Sequence, residues 1–240
     1  LYPEARVVQI DLSPRGLWQG GRVADLHLQS DAARGVAAIT ARLEASGHRA
    51  SGWRSAELQA RLAAESPDPR EYQPAPGPLD PRTAMLELDR AIPPDWEIVC
   101  GTGHFFNFVR THLKGRAPQR YHPITAFSAI GSAIGAAIGI AAARGDGKVV
   151  LVEGDGSMMM HIQELETMQR HGIRLLSVVM NDGAYSAEAH KFRAKGKDPA
   201  QTITGRPDFA ALARAFGHQG EKLRAPGGMD ALLRAYQSSE

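Results

Sequence analysis

The apolar positions of this chain fall into short continuous runs that alternate with stretches of helical spacing. Residues 7–11, Val-Val-Gln-Ile-Asp, precede Ser13-Pro14 and predict a short buried strand closed by a turn. Residues 31–45 put Val36, Ile39 and Leu43 on one helical face, and a second helix is expected at about 55–64. Asp80-Pro81 opens a third helix, with Asp as N-cap and Pro in the first turn. The pattern then alternates: strand 97–100, a glycine-rich turn with a short helix, an Ala/Gly helix over about 126–143, strand 148–152 and helix 157–170. Strand 174–180, helix 207–216, a weak strand near 219–223 and helix 227–236 complete it. Val-Val-Leu-Val and Leu-Leu-Ser-Val-Val-Met read as strands covered on both faces. The alternation predicts an α/β fold: a doubly wound parallel sheet with helices on both faces.

Composition changes this picture at a few points. Pro67, Pro69, Pro74, Pro76 and Pro78 lie within twelve residues, and so many missing backbone donors predict an extended interdomain linker. The expected division is therefore 1–65, a linker at 66–79, and 80–240. With 43% hydrophobic and 22% charged residues the chain is not a disordered one. Lys plus Arg number 28 against 26 acidic residues, so the net charge of +2 offers no footprint for nucleic acid. The single cysteine, Cys100, excludes an intrachain disulfide and fits a reducing, cytoplasmic compartment. Residues 1–6 lack the pattern of a signal peptide. Residues 126–143 carry no charge, but Ala, Gly and Ser drive membrane insertion weakly. They read as a buried helix whose Gly131, Gly135 and Gly139 let a strand or cofactor approach. The start at Leu1 rather than Met suggests a fragment, or a chain whose front is not shown.

Candidate chemistry concentrates where ligands bind in open parallel sheets, at the carboxyl ends of strands. Three strand ends carry glycine beside a polar side chain: Gly101-Thr102-Gly103-His104, Gly154-Asp155-Gly156-Ser157 and Asn181-Asp182-Gly183. Gly154 and Gly156 permit a tight turn and close backbone approach. The helix that follows points free N–H groups at the turn, which suits a phosphate. A carboxylate at Asp155 would repel that phosphate unless a hard cation such as Mg²⁺ lay between them. Asn181 can give the same ion a neutral oxygen, because the 24 residues between Gly156 and Asn181 fit one helix and one strand. Either motif alone is also an ordinary turn; the pair at this spacing is specific. A dinucleotide fingerprint needs a third glycine where Phe106 stands. The histidines form no H-x-x-x-H or H-E-x-x-H zinc pattern, and no Gly-x-Ser-x-Gly elbow supports a hydrolase. A non-catalytic nucleotide-binding α/β protein remains an alternative.

Gly-Asp-Gly, 24 residues and then Asn-Asp resembles the signature of thiamine-diphosphate-dependent enzymes. GDGSMMMHIQELETM is similar to their acetolactate synthase and 2-oxo-acid decarboxylase group. Ser128 to Gly139 resembles that family's segment beneath the cofactor. The resemblance implies the thiamine-diphosphate-binding fold, preceded by the tail of a second α/β domain in residues 1–65. It implies Mg²⁺ on Asp155, Asn181 and the carbonyl of Gly183. Cofactor contacts would come from Gly103, His104, Ile130, Gly154, Gly156, Ser157, Ala184 and Tyr185. Ile130 stands where relatives support the bent cofactor with a bulky residue, often Met, and the family's second Asn is Asp182 here. Ile130 also reads as plain core and His104 as a turn residue. Tyr185, Glu188 and His190 are candidate substrate-side residues or the start of a surface helix.

The same resemblance implies decarboxylation of a 2-oxo acid with the cofactor as electron sink. The product is then an aldehyde, as in a simple decarboxylase, or a 2-hydroxy ketone, as in an acetolactate synthase-like carboligase. The activating glutamate belongs to a family domain not found here, so no catalytic residue is assigned, and Glu153, Glu164 and Glu166 receive no such role. A homodimer or homotetramer is expected, with no nucleic-acid or membrane partner, and FAD is left open. The chain alone is expected to be inactive.

Overall fold

Val8–Asp11 (β1) and Leu26–Gln29 (β2) pair in parallel, Val8 opposite Leu26, in the computed structural model, which describes residues 4–14, 16, 23–49, 52–64, 68, 77–114 and 116–239. The chain forms two units, residues 1–65 and 66–240. In the first, Asp31 caps helix Ala32–Ala45 (α1) by accepting the Arg34 N–H at 3.1 Å, and Ala56–Ala64 (α2) follows. The face carrying Val36, Ile39 and Leu43 is exposed, not buried. Helix α1 instead meets β1 through buried Gly35, where a side chain would strike Ile10. Strand β2, only four residues of weak alternation, has no counterpart in the sequence reading.

The second unit begins with Pro81–Ala91 (α3), capped by Asp80. Glu97–Cys100 (β3), Phe106–His112 (α4), Tyr121–Pro123 (β4), Ala133–Arg144 (α5) and Val149–Gly154 (β5) come next. Asp155–Met160 (α6), Glu164–His171 (α7) and Leu176–Met180 (β6) follow. Ser186–Ala194 (α8), Phe209–Ala215 (α9) and Met229–Ser238 (α10) complete it. The sheet runs β4-β3-β5-β6, all parallel. Alternate side chains serve opposite faces. Ile98, Cys100, Val150 and Val152 join Met85, Leu88, Val109 and Leu233 of α3, α4 and α10. Val99, Val149 and Leu151 join Ile134, Ala137, Leu165 and Met168 of α5 and α7. Each such fully buried side chain contributes about 2 kcal/mol, and two-sided burial holds the strand ends in register. The expected α/β sheet with helices on both faces is present.

Several boundaries depart from the sequence reading. The Ala/Gly helix starts only at Ala133. Phe127, Ser128 and Gly131 have φ of 55°, 52° and 88°, in the left-handed region that no continuous helix accepts. A side chain at Gly135 or Gly139 would meet nothing, so neither glycine serves close approach; Gly131 alone lies against Met160 and His161. The helix expected at 157–170 is two, because His161 leaves helical geometry (φ −136°, ψ 29°) and i→i+3 bonds bridge the break. No strand forms at 219–223: Arg214 Nη1 donates to the Gly220 carbonyl at 2.5 Å, and Gly220 lies on the Ala210 backbone. Strand β6 is left at the sheet edge. Strand β4 is too short and polar for its sequence to announce it. Pro67, Pro69, Pro74 and Pro76 of the expected linker lie outside the described residues. No helix among the described residues is long and apolar enough to cross a membrane.

Candidate functional site

Parallel pairing of β5 with β6 sets Gly154 opposite Met180, so the next residues, Asp155 and Asn181, leave the sheet side by side. Asp155 is 3% exposed. Its Oδ1 accepts the Gly156 N–H at 2.7 Å and its Oδ2 the Gly183 N–H at 2.6 Å. Asn181 Nδ2 donates to the Pro207 carbonyl at 2.9 Å, which orients the amide and leaves Oδ1 to accept. Gly183 has φ +81°, a conformation that glycine adopts without strain. Its carbonyl accepts the N–H groups of Thr204 at 2.9 Å and Gly205 at 3.2 Å, so both lone pairs are engaged. The turn after β6 is thus tied to Asp155 on one side and to residues 202–207 on the other.

The glycines have specific neighbours. A Cβ at Gly103 would come within 2.6 Å of the Phe105 ring, and one at Gly154 within 2.9 Å of the same ring. A Cβ at Gly156 would approach Tyr185 Cε1 to 2.5 Å, and one at Gly101 would collide with the Glu153 carboxyl. The sequence reading gives these glycines to a phosphate; in the structure two aromatic rings and a carboxyl occupy the faces that a side chain would take. The donor helix expected at Ser157 is α6, six residues long, and it starts at Asp155 itself.

Burial raises the Asp155 carboxyl above the ordinary carboxylate range, against the N–H bonds from Gly183 and Gly156, and Asp182 adds to the rise. Glu153 is 1% exposed, and burial pushes it up to about 7. Its Oε1 accepts the Gly154 N–H at 3.2 Å, while Oε2 has no partner among the described residues. Burial first, then the neighbouring His190 ring, lower the His104 pKa, and Asp182 opposes both. The His104 and His190 rings lie 4.8 Å apart between centroids.

A cleft of about 1440 Å³ brings together Gly103, His104, Ile130, Gly154, Asp155, Gly156, Ser157, Asn181, Ala184 and Tyr185. Gly183 is not among the residues that line it. Among the described residues no three His, Cys, Asp or Glu side chains converge on a common point. A buried carboxylate beside a carboxamide oxygen is nevertheless a donor set that suits a hard divalent cation, which would offset the charge that burial disfavours. Phe105 and the tether at Pro207 carry no sequence signal. Glu153 has a weak one, as the charged residue that interrupts an apolar strand.

Residues 101–240 match the family described as thiamine pyrophosphate enzyme, C-terminal TPP binding domain. Over 145 residues the chain is 32% identical to a candidate acetolactate synthase large subunit of Mycobacterium tuberculosis, IlvB2, covering 60% of this chain and 26% of that protein. It is 28% identical over 225 residues to the acetolactate synthase large subunit of Parasynechococcus marenigrum, covering 92% of this chain and 36% of that one. The chain thus spans about a quarter to a third of the length of these relatives. In fold it is similar to the thiamine diphosphate-dependent 4-hydroxybenzoylformate decarboxylase of Rhodococcus jostii RHA1. The TM-score is 0.59 at 22% identity, over 70% of this chain and 32% of that one.

Proposed function

Because this chain belongs to the thiamine pyrophosphate enzyme family, through a C-terminal cofactor-binding domain related to acetolactate synthases and 2-oxo-acid decarboxylases, we propose that it holds thiamine diphosphate through Mg²⁺ in an enzyme acting on 2-oxo acids. The observation that carries this reading is the pairing of Asp155 with Asn181 at adjacent strand ends, inside the segment that matches the family. Asp155 and the Asn181 side-chain oxygen would hold the metal. The Gly183 carbonyl would join them only on giving up one of its two N–H donors. Gly154, Gly156 and Ser157 would face the diphosphate, and Gly103 and His104 would flank it. Ile130 would support the ring system, with Ala184 and Tyr185 lining the same wall.

When bound, the cofactor supplies an electron sink for the pair released in decarboxylation. The chain's own part is to fix the diphosphate, orient the substrate and keep water from the reacting carbon. Among the two outcomes for a 2-oxo acid, the sequence likeness to acetolactate synthase large subunits favours carboligation in the intact enzyme. Decarboxylation to an aldehyde is the second reading, favoured by the fold likeness to a decarboxylase.

Titration calorimetry of the chain with thiamine diphosphate tests the binding claim. Heat is expected only with Mg²⁺ present, and Asp155→Ala should abolish it. No Mg²⁺-dependent binding by the natural sequence, or equal binding by Asp155→Ala, overturns the reading. Product analysis of the intact enzyme with pyruvate separates acetolactate from acetaldehyde.

A further inference from the structure

We propose that Glu153 is a positioning residue for cofactor binding: its buried carboxyl is wedged between the glycine turns after β3 and β5 and holds them at their separation. The inference rests on the function proposed above, which assigns both turns to the cofactor.

Glu153 is the one charged residue of β5, and it is 1% exposed. Its Oε1 accepts the Gly154 N–H at 3.2 Å and so fixes the first peptide of the turn after β5. On its other side the carboxyl lies flat on Gly101, where a Cβ would be 2.2 Å from Oε1 and 2.3 Å from Oε2. Gly101 is itself tied to β5, its N–H donating to the Val152 carbonyl at 3.2 Å. The turn after β3 is thus seated on Glu153 at its first residue. At its third, the Phe105 ring lies against both Gly103 and Gly154. A carboxyl and an aromatic ring are therefore the spacers between the two turns, and glycine at 101, 103 and 154 leaves them room.

Two further observations assign Glu153 to positioning and not to stability. Ser157, in the first turn of α6, turns its hydroxyl toward the carboxyl, yet Oε2 is left without a hydrogen-bond partner among the described residues. Such a buried carboxyl costs stability that an apolar residue would not, in a strand that otherwise reads Val-Val-Leu-Val. The cleft is lined by Gly103 and by residues 154–157, but not by Gly101 or Glu153. Glu153 therefore acts through the turns and touches no ligand. Loss of a group that orients ligand-holding residues in this way typically weakens binding by about 10–100-fold.

The test compares the parent with Glu153→Val, whose side chain is too short to reach Gly101, and Glu153→Gln, which keeps the wedge. Urea unfolding first identifies a temperature at which every chain is fully folded, so that a change in stability does not enter the affinity. Glu153→Ala replaces Glu153→Val if the latter is not folded there. In calorimetry with thiamine diphosphate and Mg²⁺, Glu153→Val should bind about tenfold more weakly and Glu153→Gln within about threefold of the parent. In the isotope-labelled chains without ligand, Glu153→Val should move the amide resonances of Thr102, Gly103 and His104 as well as that of Gly154, and Glu153→Gln should leave them near their parental positions. The proposal is overturned if Glu153→Val binds as tightly as the parent, or if Glu153→Gln loses as much as Glu153→Val. It is also overturned if the amides of residues 102–104 stay unmoved in Glu153→Val, whatever binds. Absence of Mg²⁺-dependent binding by the parent instead overturns the function proposed above, so the two failures are distinguishable.

Discussion

The N–H of Gly183 donates to Asp155 Oδ2 at 2.6 Å, across 28 residues, and so joins the turns that end two neighbouring strands. Asp155 is at once the candidate metal ligand and the acceptor that holds the neighbouring turn in place. Its burial opposes its charge, so the site without a cation is electrostatically unfavourable.

Asp155→Asn should separate these two roles. The neutral amide removes the buried charge but has one oxygen for the two N–H groups of Gly156 and Gly183, so one buried donor is left facing an NH₂ group and the chain without ligand should be about 1–2 kcal/mol less stable than the parent. Thermal denaturation with and without thiamine diphosphate and Mg²⁺ checks it. The parent is expected to gain several degrees on addition and the variant none. A variant stabilised as strongly as the parent would remove Asp155 from the metal site.

Gly101 and Glu153 should be strongly coupled. A methyl at residue 101 has no room beside the Glu153 carboxyl, so Gly101→Ala should cost about 2–3 kcal/mol. Glu153→Ala vacates that space, and the double variant should recover at least half of the loss. Urea unfolding of the four chains measures the coupling. Additive effects would contradict the packing described.

Glu153 also predicts a pH dependence. Its folded pKa, about 7, lies above the ordinary glutamate value of 4.5, so the folded chain binds the extra proton between these limits. The stability it contributes is complete below pH 4.5 and declines as pH rises through about 7, by on the order of 3 kcal/mol in all. Glu153→Gln should remove this decline and be the more stable chain at pH 8. Chemical denaturation at pH 5, 6, 7 and 8 reads the effect; parallel profiles for the two chains would refute it.

Phe127 combines a left-handed backbone, φ 55°, with a fully exposed side chain. The exposed ring buries no surface that would offset the strain, so Phe127→Gly should stabilise the chain by about 1 kcal/mol. Differential scanning calorimetry at fixed protein concentration is the check. A destabilised variant would mean that the ring has a packing role absent from the structure.

The sites were legible in the sequence where chemistry is carried by local patterns. Glycine beside a carboxylate after an apolar strand marks a turn at a strand end, and the helix-plus-strand interval to Asn181 predicts that the two turns are neighbours. The register of Gly154 with Met180 realises that spacing. The helix cap at Asp80 was equally readable, because capping needs only the side chain and the next three residues. Long helices were read as too long: an uninterrupted low-polarity pattern does not reveal that Phe127, Ser128 and His161 leave helical geometry.

The order of residues along the chain thus determined the alternation of strands and helices, the two-sided core and the neighbouring positions of Asp155 and Asn181. Each follows from periodicity or from a short interval. Only the tertiary structure decided what the glycines face, that Glu153 is sealed beside Gly101, and that His104 meets His190. Those relations join residues tens of positions apart. They depend on side-chain packing and on the register of strands, and neither is encoded in any local pattern.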